Sequence, residues 1–182
     1  MRWSMLLVVF VAGTVHADSV DEYWANLHAL CGKAFEGKVV HEPGDSMGNA
    51  KLVMHVRECT DERIRIPFVV GDDYSRTWVL TRLDDRIELR HDHRNEDGTP
   101  EEVTMYGGIS PNPGSAKGQI FPTDEKSQQV LPDSWPSVWM MAFDEETFTY
   151  YARRQGTDSY YHVDFDLTEE VDTPDAPWGW ED

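Results

Sequence analysis

Arg76-Thr77-Trp78-Val79-Leu80-Thr81-Arg82, then Leu83-Asp84-Asp85-Arg86, then Ile87-Glu88-Leu89-Arg90-His91-Asp92-His93, is the stretch whose reading decides the fold. Apolar and polar residues alternate along both arms, which is the period of a half-buried β-strand. With Asp84-Asp85 as a two-residue turn, Leu80 falls opposite Leu89, Trp78 opposite His91 and Arg76 opposite His93. All six then project to one side. The next connection, Asn95-Glu96-Asp97-Gly98, suits a type I turn with glycine in the left-handed bulge position. It predicts a second hairpin in which His93 faces Glu101, His91 faces Val103 and Leu89 faces Met105. Both hairpins agree on the inner face, and a one-residue slip in either would reverse it.

Alternation also rules the flanking sequence. Upstream, strands are expected over Phe35 to His41, Lys51 to Cys59 and Arg63 to Val70, with the turn-rich segment Glu42 to Asn49 between the first two. His55 shares a face with Arg57 and is expected to be solvated. Before them, Ser19-Val20-Asp21-Glu22 has the form of a capping box, and Val20, Tyr23, Trp24, Leu27 and Leu30 recur at helical spacing until Gly32. A short amphipathic helix from Val20 to Cys31 follows. Downstream, Gly107 to Ser115 reads as a loop, Thr123 or Asp124 as the cap of one or two helical turns ending near Leu131, and Val138 to Phe143, Thr147 to Arg153 and Ser159 to Leu167 as three more strands. In the last of these, Tyr161, Val163, Phe165 and Leu167 share the inner face. The acidic tail, residues 170–182, is expected to be mobile unless Trp178 or Trp180 docks on the domain.

Residues 1–17 have the charged start, short apolar core and small-residue exit of a signal peptide, with cleavage expected after Ala17. No segment reaches the roughly 20 apolar residues of a membrane span. Cys31 and Cys59 in an exported chain predict one disulfide, whose loop would remove roughly 3 to 4 kcal/mol of unfolded-state freedom. The 34 Asp and Glu against 16 Lys and Arg, a net charge of -18, disfavour nucleic acid and anionic membrane partners.

Eight or nine strands in hairpin order, with almost no helix between them, must deal with their edges. An all-β domain over residues 18–169, closed as a single antiparallel up-and-down barrel with a short N-terminal helix, does so. A two-sheet β-sandwich is the alternative. The stretches Cys31 to Val39, Leu52 to Cys59, and Ser75 to Arg82 followed by His91 to Arg94 resemble a group of uncharacterised exported bacterial proteins, a likeness covering most of the mature chain. That resemblance implies no activity and transfers no functional residue. The helix-then-barrel layout is similar to the lipocalin-like, or calycin, architecture, although the lipocalin Gly-x-Trp signature is absent near the first strand.

Function is expected at the central hairpins. A barrel cavity lined by Trp78, Phe68, Met54, Met105, Tyr106 and Phe148, with Arg76 and Arg82 beside Trp78, His91 and His93 at the rim and Glu101 opposite, would take a small hydrophobic or amphipathic molecule, an arginine holding its carboxylate. The bland counterpart is a barrel packed solid. As an alternative, His91 and His93 project together and with Glu101 could hold a metal. A cell-envelope interaction module using the tryptophan-bearing tail is a further alternative. No nucleophile elbow, zinc-protease motif or phosphate-cradling loop is present, so the reading is non-catalytic and implies no cofactor.

Overall fold

The strands do not divide between two facing sheets; they run in one hydrogen-bonded order that nearly closes on itself. The computed structural model describes residues 19–132 and 136–180, so the expected signal peptide, residues 1–17, lies outside the described residues. The elements are α1 (Ser19–His28), β1 (Ala34–His41), β2 (Leu52–His55), β3 (Glu58–Cys59), β4 (Arg63–Val70), β5 (Asp73–Arg82), β6 (Ile87–His93), β7 (Tyr106–Ile109), β8 (Gly118–Pro122), α2 (Glu125–Val130), β9 (Ser137–Phe143), β10 (Thr147–Arg154) and β11 (Tyr160–Val171). The order around the barrel is β7-β6-β5-β4-β2-β1-β11-β10-β9-β8, with β3 pairing β4 beside this path. Every pairing is antiparallel. The up-and-down barrel is therefore present, with 11 strands rather than eight or nine. Splitting Lys51 to Cys59 into β2 and β3 adds one strand; β8, Gly118-Gln119-Ile120-Phe121-Pro122, adds the other, too short between its glycine and proline to show a period.

Inward-facing apolar residues fill the barrel. Met54, Ile64, Ile66, Leu80, Leu89, Phe148 and Phe165 are all fully buried. Gly37 of β1 leaves space for the Phe165 ring, since a Cβ there would come 2.6 Å from that ring. One end is plugged by α1, which buries Val20, Tyr23, Trp24 and Leu27. Tyr23 donates its hydroxyl to the Met141 carbonyl at 3.2 Å and stacks on Phe143. Ser19 does not act in a capping box here; its hydroxyl donates to the carbonyl of Pro113. Cys31 and Cys59 form the expected disulfide, tying the turn after α1 to β3. Among the described residues no helix is long and apolar enough to cross a membrane.

β7 and β8 end the strand order, and the seam between them is held by α2 instead of a full ladder. The Asp124 amide donates to the Gly107 carbonyl at 3.1 Å. Ser127 on α2 accepts from the Gly107 amide and donates back to its carbonyl. Arg90, almost entirely buried, bridges Glu88, Asp124 and Ser127 across this seam. Those contacts hold the Arg90 guanidinium above its usual range even though burial opposes its charge, and keep the Asp124 carboxyl low.

Several expectations need correction. The segment expected as a loop from Gly107 starts as strand, because Gly107 and Gly108 pair with Arg90 and Leu89. His55 is buried, not solvated. It lies on the outer face beside a second small cluster, Ala34, Val53 and Val69, on which Tyr74 and Val171 pack; burial lowers its pKa. The C-terminal residues also dock. β11 runs to Val171, the Trp178 amide donates to the Tyr74 carbonyl, and the Trp180 ring lies under the Arg65 guanidinium, 4.8 Å from its centre.

Candidate functional site

At the end away from α1 the barrel opens, and the β5/β6 hairpin places the first walls there. The pairs Arg76↔His93, Trp78↔His91 and Leu80↔Leu89 stand as the alternation requires, and Leu83 and Arg86 flank Asp84-Asp85 as a two-residue turn. The second hairpin starts as expected: Gly98 has φ 81°, Arg94 bridges Pro100, and the Glu101 amide donates to the His93 carbonyl. Its register then departs. Residues 102–105 loop out, with the His93 amide captured by the Thr104 hydroxyl at 2.7 Å and Met105 at φ 56°. When pairing resumes, His91 faces Tyr106 and Leu89 faces Gly108, so Val103 and Met105 are not their partners.

The walls are aromatic and tightly layered. Trp78 is stacked between Phe68 and Tyr150, with ring centres 4.9 Å and 4.5 Å away. His91 stacks on Tyr106 at 4.7 Å. Above them lies a cavity of about 300 Å³, bounded also by Arg76, Thr77, Val70, His93 and Tyr161 and covered from the β1–β2 connection by Ser46 and Met47. That covering loop is pinned by Glu42, whose carboxylate accepts from the Ser46 hydroxyl and the Met47 amide.

Hydrogen bonding fixes the tautomer of His91. His91 Nδ1 faces the Tyr106 carbonyl at 3.2 Å, which can only accept, so Nδ1 carries the proton. Its Nε2 then accepts from the Tyr150 hydroxyl at 2.9 Å. His93 Nε2 shares a hydrogen bond with the Tyr106 hydroxyl at 3.0 Å. Burial lowers the pKa of His91 to about 3; burial, then the nearby Arg76 charge, lowers that of His93 to about 4. Burial also raises the Tyr106 phenol to about 12 and holds the Tyr150 phenol well above its usual value. At neutral pH this wall is an uncharged donor and acceptor surface, and Arg76 is the cation beside it.

A pH dependence of stability follows from these shifts. An unfolded histidine protonates near 6.5, whereas His91 in the barrel does so only at about 3. Between those values the unfolded chain binds the extra proton, so stability falls as the pH falls, by about 1.4 kcal/mol per pH unit for each such histidine. In urea titrations from pH 6.5 down to about 4, a His91→Phe/Tyr150→Phe variant, lacking both partners of the buried bond, should lose stability less steeply than the wild type.

The structure brings together six of the expected residues: Phe68, Arg76, Trp78, His91, His93 and Tyr106. Glu101 stays at the rim, its carboxylate 3.9 Å from His93 Nδ1. Met54 and Phe148 lie in the filled core below. Arg82 is not part of the site. Six residues along β5 at about 3.3 Å each carry it about 20 Å from Arg76, to the plugged end, where it pairs with Asp21 of α1. Met105, turned outward by the looped-out segment, lies instead in an outer groove with Arg94 and Trp180. His91, His93 and Glu101 do not assemble a metal site, because the histidine Nε2 atoms are taken by tyrosine hydroxyls; among the described residues no group of three His, Cys, Asp or Glu could hold a metal.

Tyr150, Tyr161, Val70, Thr77, Ser46 and Met47 complete the walls without having been expected there. Tyr150 and Tyr161 share strand faces with Phe148 and Val163, so alternation marks them as inward. Ser46 and Met47 sit in a turn-rich connection, whose sequence has no period to say which way it folds. Comparison with known protein families, with characterised proteins and with solved structures finds no match for this chain.

Proposed function

We propose that the protein is an exported, non-catalytic binding protein that takes a small amphipathic molecule at the open mouth of its barrel. The apolar part lies on Trp78 and the surrounding rings, and an anionic head is held by Arg76. The observation that carries this reading is electrostatic. In a chain of net charge -18, the one charged residue lining the cavity among the described residues is a cation, set among aromatic walls and neutral histidines. Asp73, its salt-bridge partner, bonds one guanidinium nitrogen, Nη1, leaving donors for a carboxylate. The filled core limits the ligand to a compact one, since about 300 Å³ stands at the small end of ligand cavities. Export is supported by the apolar leader expected at residues 1–17 and by the disulfide.

The test has two parts. Native mass spectrometry of protein purified from its own host should show a bound small molecule. Titration with decanoate should show saturable binding, which Arg76→Gln weakens by roughly 10- to 100-fold, as losing a hydrogen-bonded charge contact does. No uptake of decanoate by the wild type, or equal affinity in Arg76→Gln, would overturn the proposal.

A further inference from the structure

A second cavity, of about 310 Å³, adjoins the first and shares Tyr106, Tyr150 and Tyr161 with it. The three tyrosines are thus a common floor between the two chambers. The far chamber is bounded by Trp139, Leu131 and Ala152 and carries two cations, Arg153 and Arg154. Arg154 falls on the same side of β10 as Ala152 and Tyr150, two and four residues before it. Both arginines are exposed, and the Arg153 side chain donates to the Thr157 carbonyl, a neutral partner. Among the described residues neither chamber is lined by an Asp or Glu, although the chain carries 34 of them against 16 Lys and Arg. The charged groups lining the mouth among the described residues are therefore cations: Arg76 lines the first chamber, Arg153 and Arg154 line the second, and the tyrosines shared between them are uncharged.

We propose that one ligand spans both chambers and carries an anionic group at each end, with an apolar middle lying across Tyr106, Tyr150 and Tyr161. This rests on Arg76 holding an anionic head in the first chamber. A monoanion would fill that chamber alone and leave Arg153 and Arg154 without a role, whereas an α,ω-dicarboxylate engages both ends. Exposed charge contacts are individually weak, so the gain from the second carboxylate is modest and falls as salt is added.

The experiment compares α,ω-dicarboxylates from adipate to dodecanedioate with the matching monocarboxylates, by calorimetric titration of the full protein at low ionic strength. At the chain length that fits, the dicarboxylate should bind about 3- to 10-fold tighter than its monocarboxylate. An Arg153→Gln/Arg154→Gln variant should erase that difference and leave monocarboxylate affinity unchanged. If monocarboxylates bind but no dicarboxylate gains, or if the double variant keeps the gain, the two-ended ligand is overturned while the Arg76 site stands. If neither series binds, both are overturned.

Discussion

Gly108→Ala is expected to prevent the barrel from closing, giving a chain without a cooperative unfolding transition. A Cβ on Gly108 would lie 1.8 Å from the carbonyl oxygen of Pro122 and 2.9 Å from its carbonyl carbon. The obstruction is backbone on β8, the opposite lip of the seam, so no rotamer change relieves it. Gly107→Ala meets the Leu89 carbonyl oxygen at 1.9 Å on the other side. The two adjacent glycines let β7 lie between β6 and β8 where a side chain has no room. Either change should cost more than about 4 kcal/mol, in the range reserved for gross steric or packing defects. Gly118→Ala is the control. Its Cβ would meet the Ala142 Cβ at 3.4 Å, an ordinary contact, and the variant should keep the wild-type near-ultraviolet circular dichroism and melting transition.

Trp78→Ala should be the most damaging truncation of a single core side chain. The indole is buried between Phe68 and Tyr150 and makes tilted or edge contacts with Phe148 and Phe165. Removing it subtracts the shared element of four ring contacts and leaves a void that rigid strands cannot collapse, for a cost of about 3 to 5 kcal/mol. At about 2 to 4 °C per kcal/mol for a domain of this size, thermal denaturation should shift down by roughly 6 to 20 °C. The void would open into the mouth, so the variant should admit bulkier carboxylates than the wild type even as it melts earlier. A melting point within about 2 °C of the wild type would show that the stack is not what rigidifies the barrel.

What was legible in the sequence follows the reach of periodicity. The β5/β6 register could be read because two independent constraints, the Asp84-Asp85 turn and the matched apolar faces of Trp78, Leu80, Leu89 and His91, agree residue by residue. The β6/β7 register could not. Glu101, Val103 and Met105 alternate as a strand would, but the Thr104 hydroxyl captures the His93 amide, a local bond that diverts the backbone before Tyr106 pairs. Side-chain capture of a main-chain donor leaves no mark in the hydrophobic pattern. The covering loop with Ser46 and Met47 was hidden for a similar reason, since its course is set by the Glu42 carboxylate. Arg82 failed as a site residue through distance alone: alternation gives the side of a strand, and only the pairing gives the end.

The pairing of β1 with β11, the first and last strands of the barrel, sets a condition on how the molecule comes into being. β1 leaves the ribosome early yet has one edge unsatisfied until Tyr160 to Val171 emerge, so no sub-chain can shut the barrel. Closure waits on the longest-range contact in the fold, the kind that slows folding most. A chain that cannot finish folding until it is nearly complete keeps its barrel open, with the β1 edge unpaired, for as long as the residues of β11 are missing.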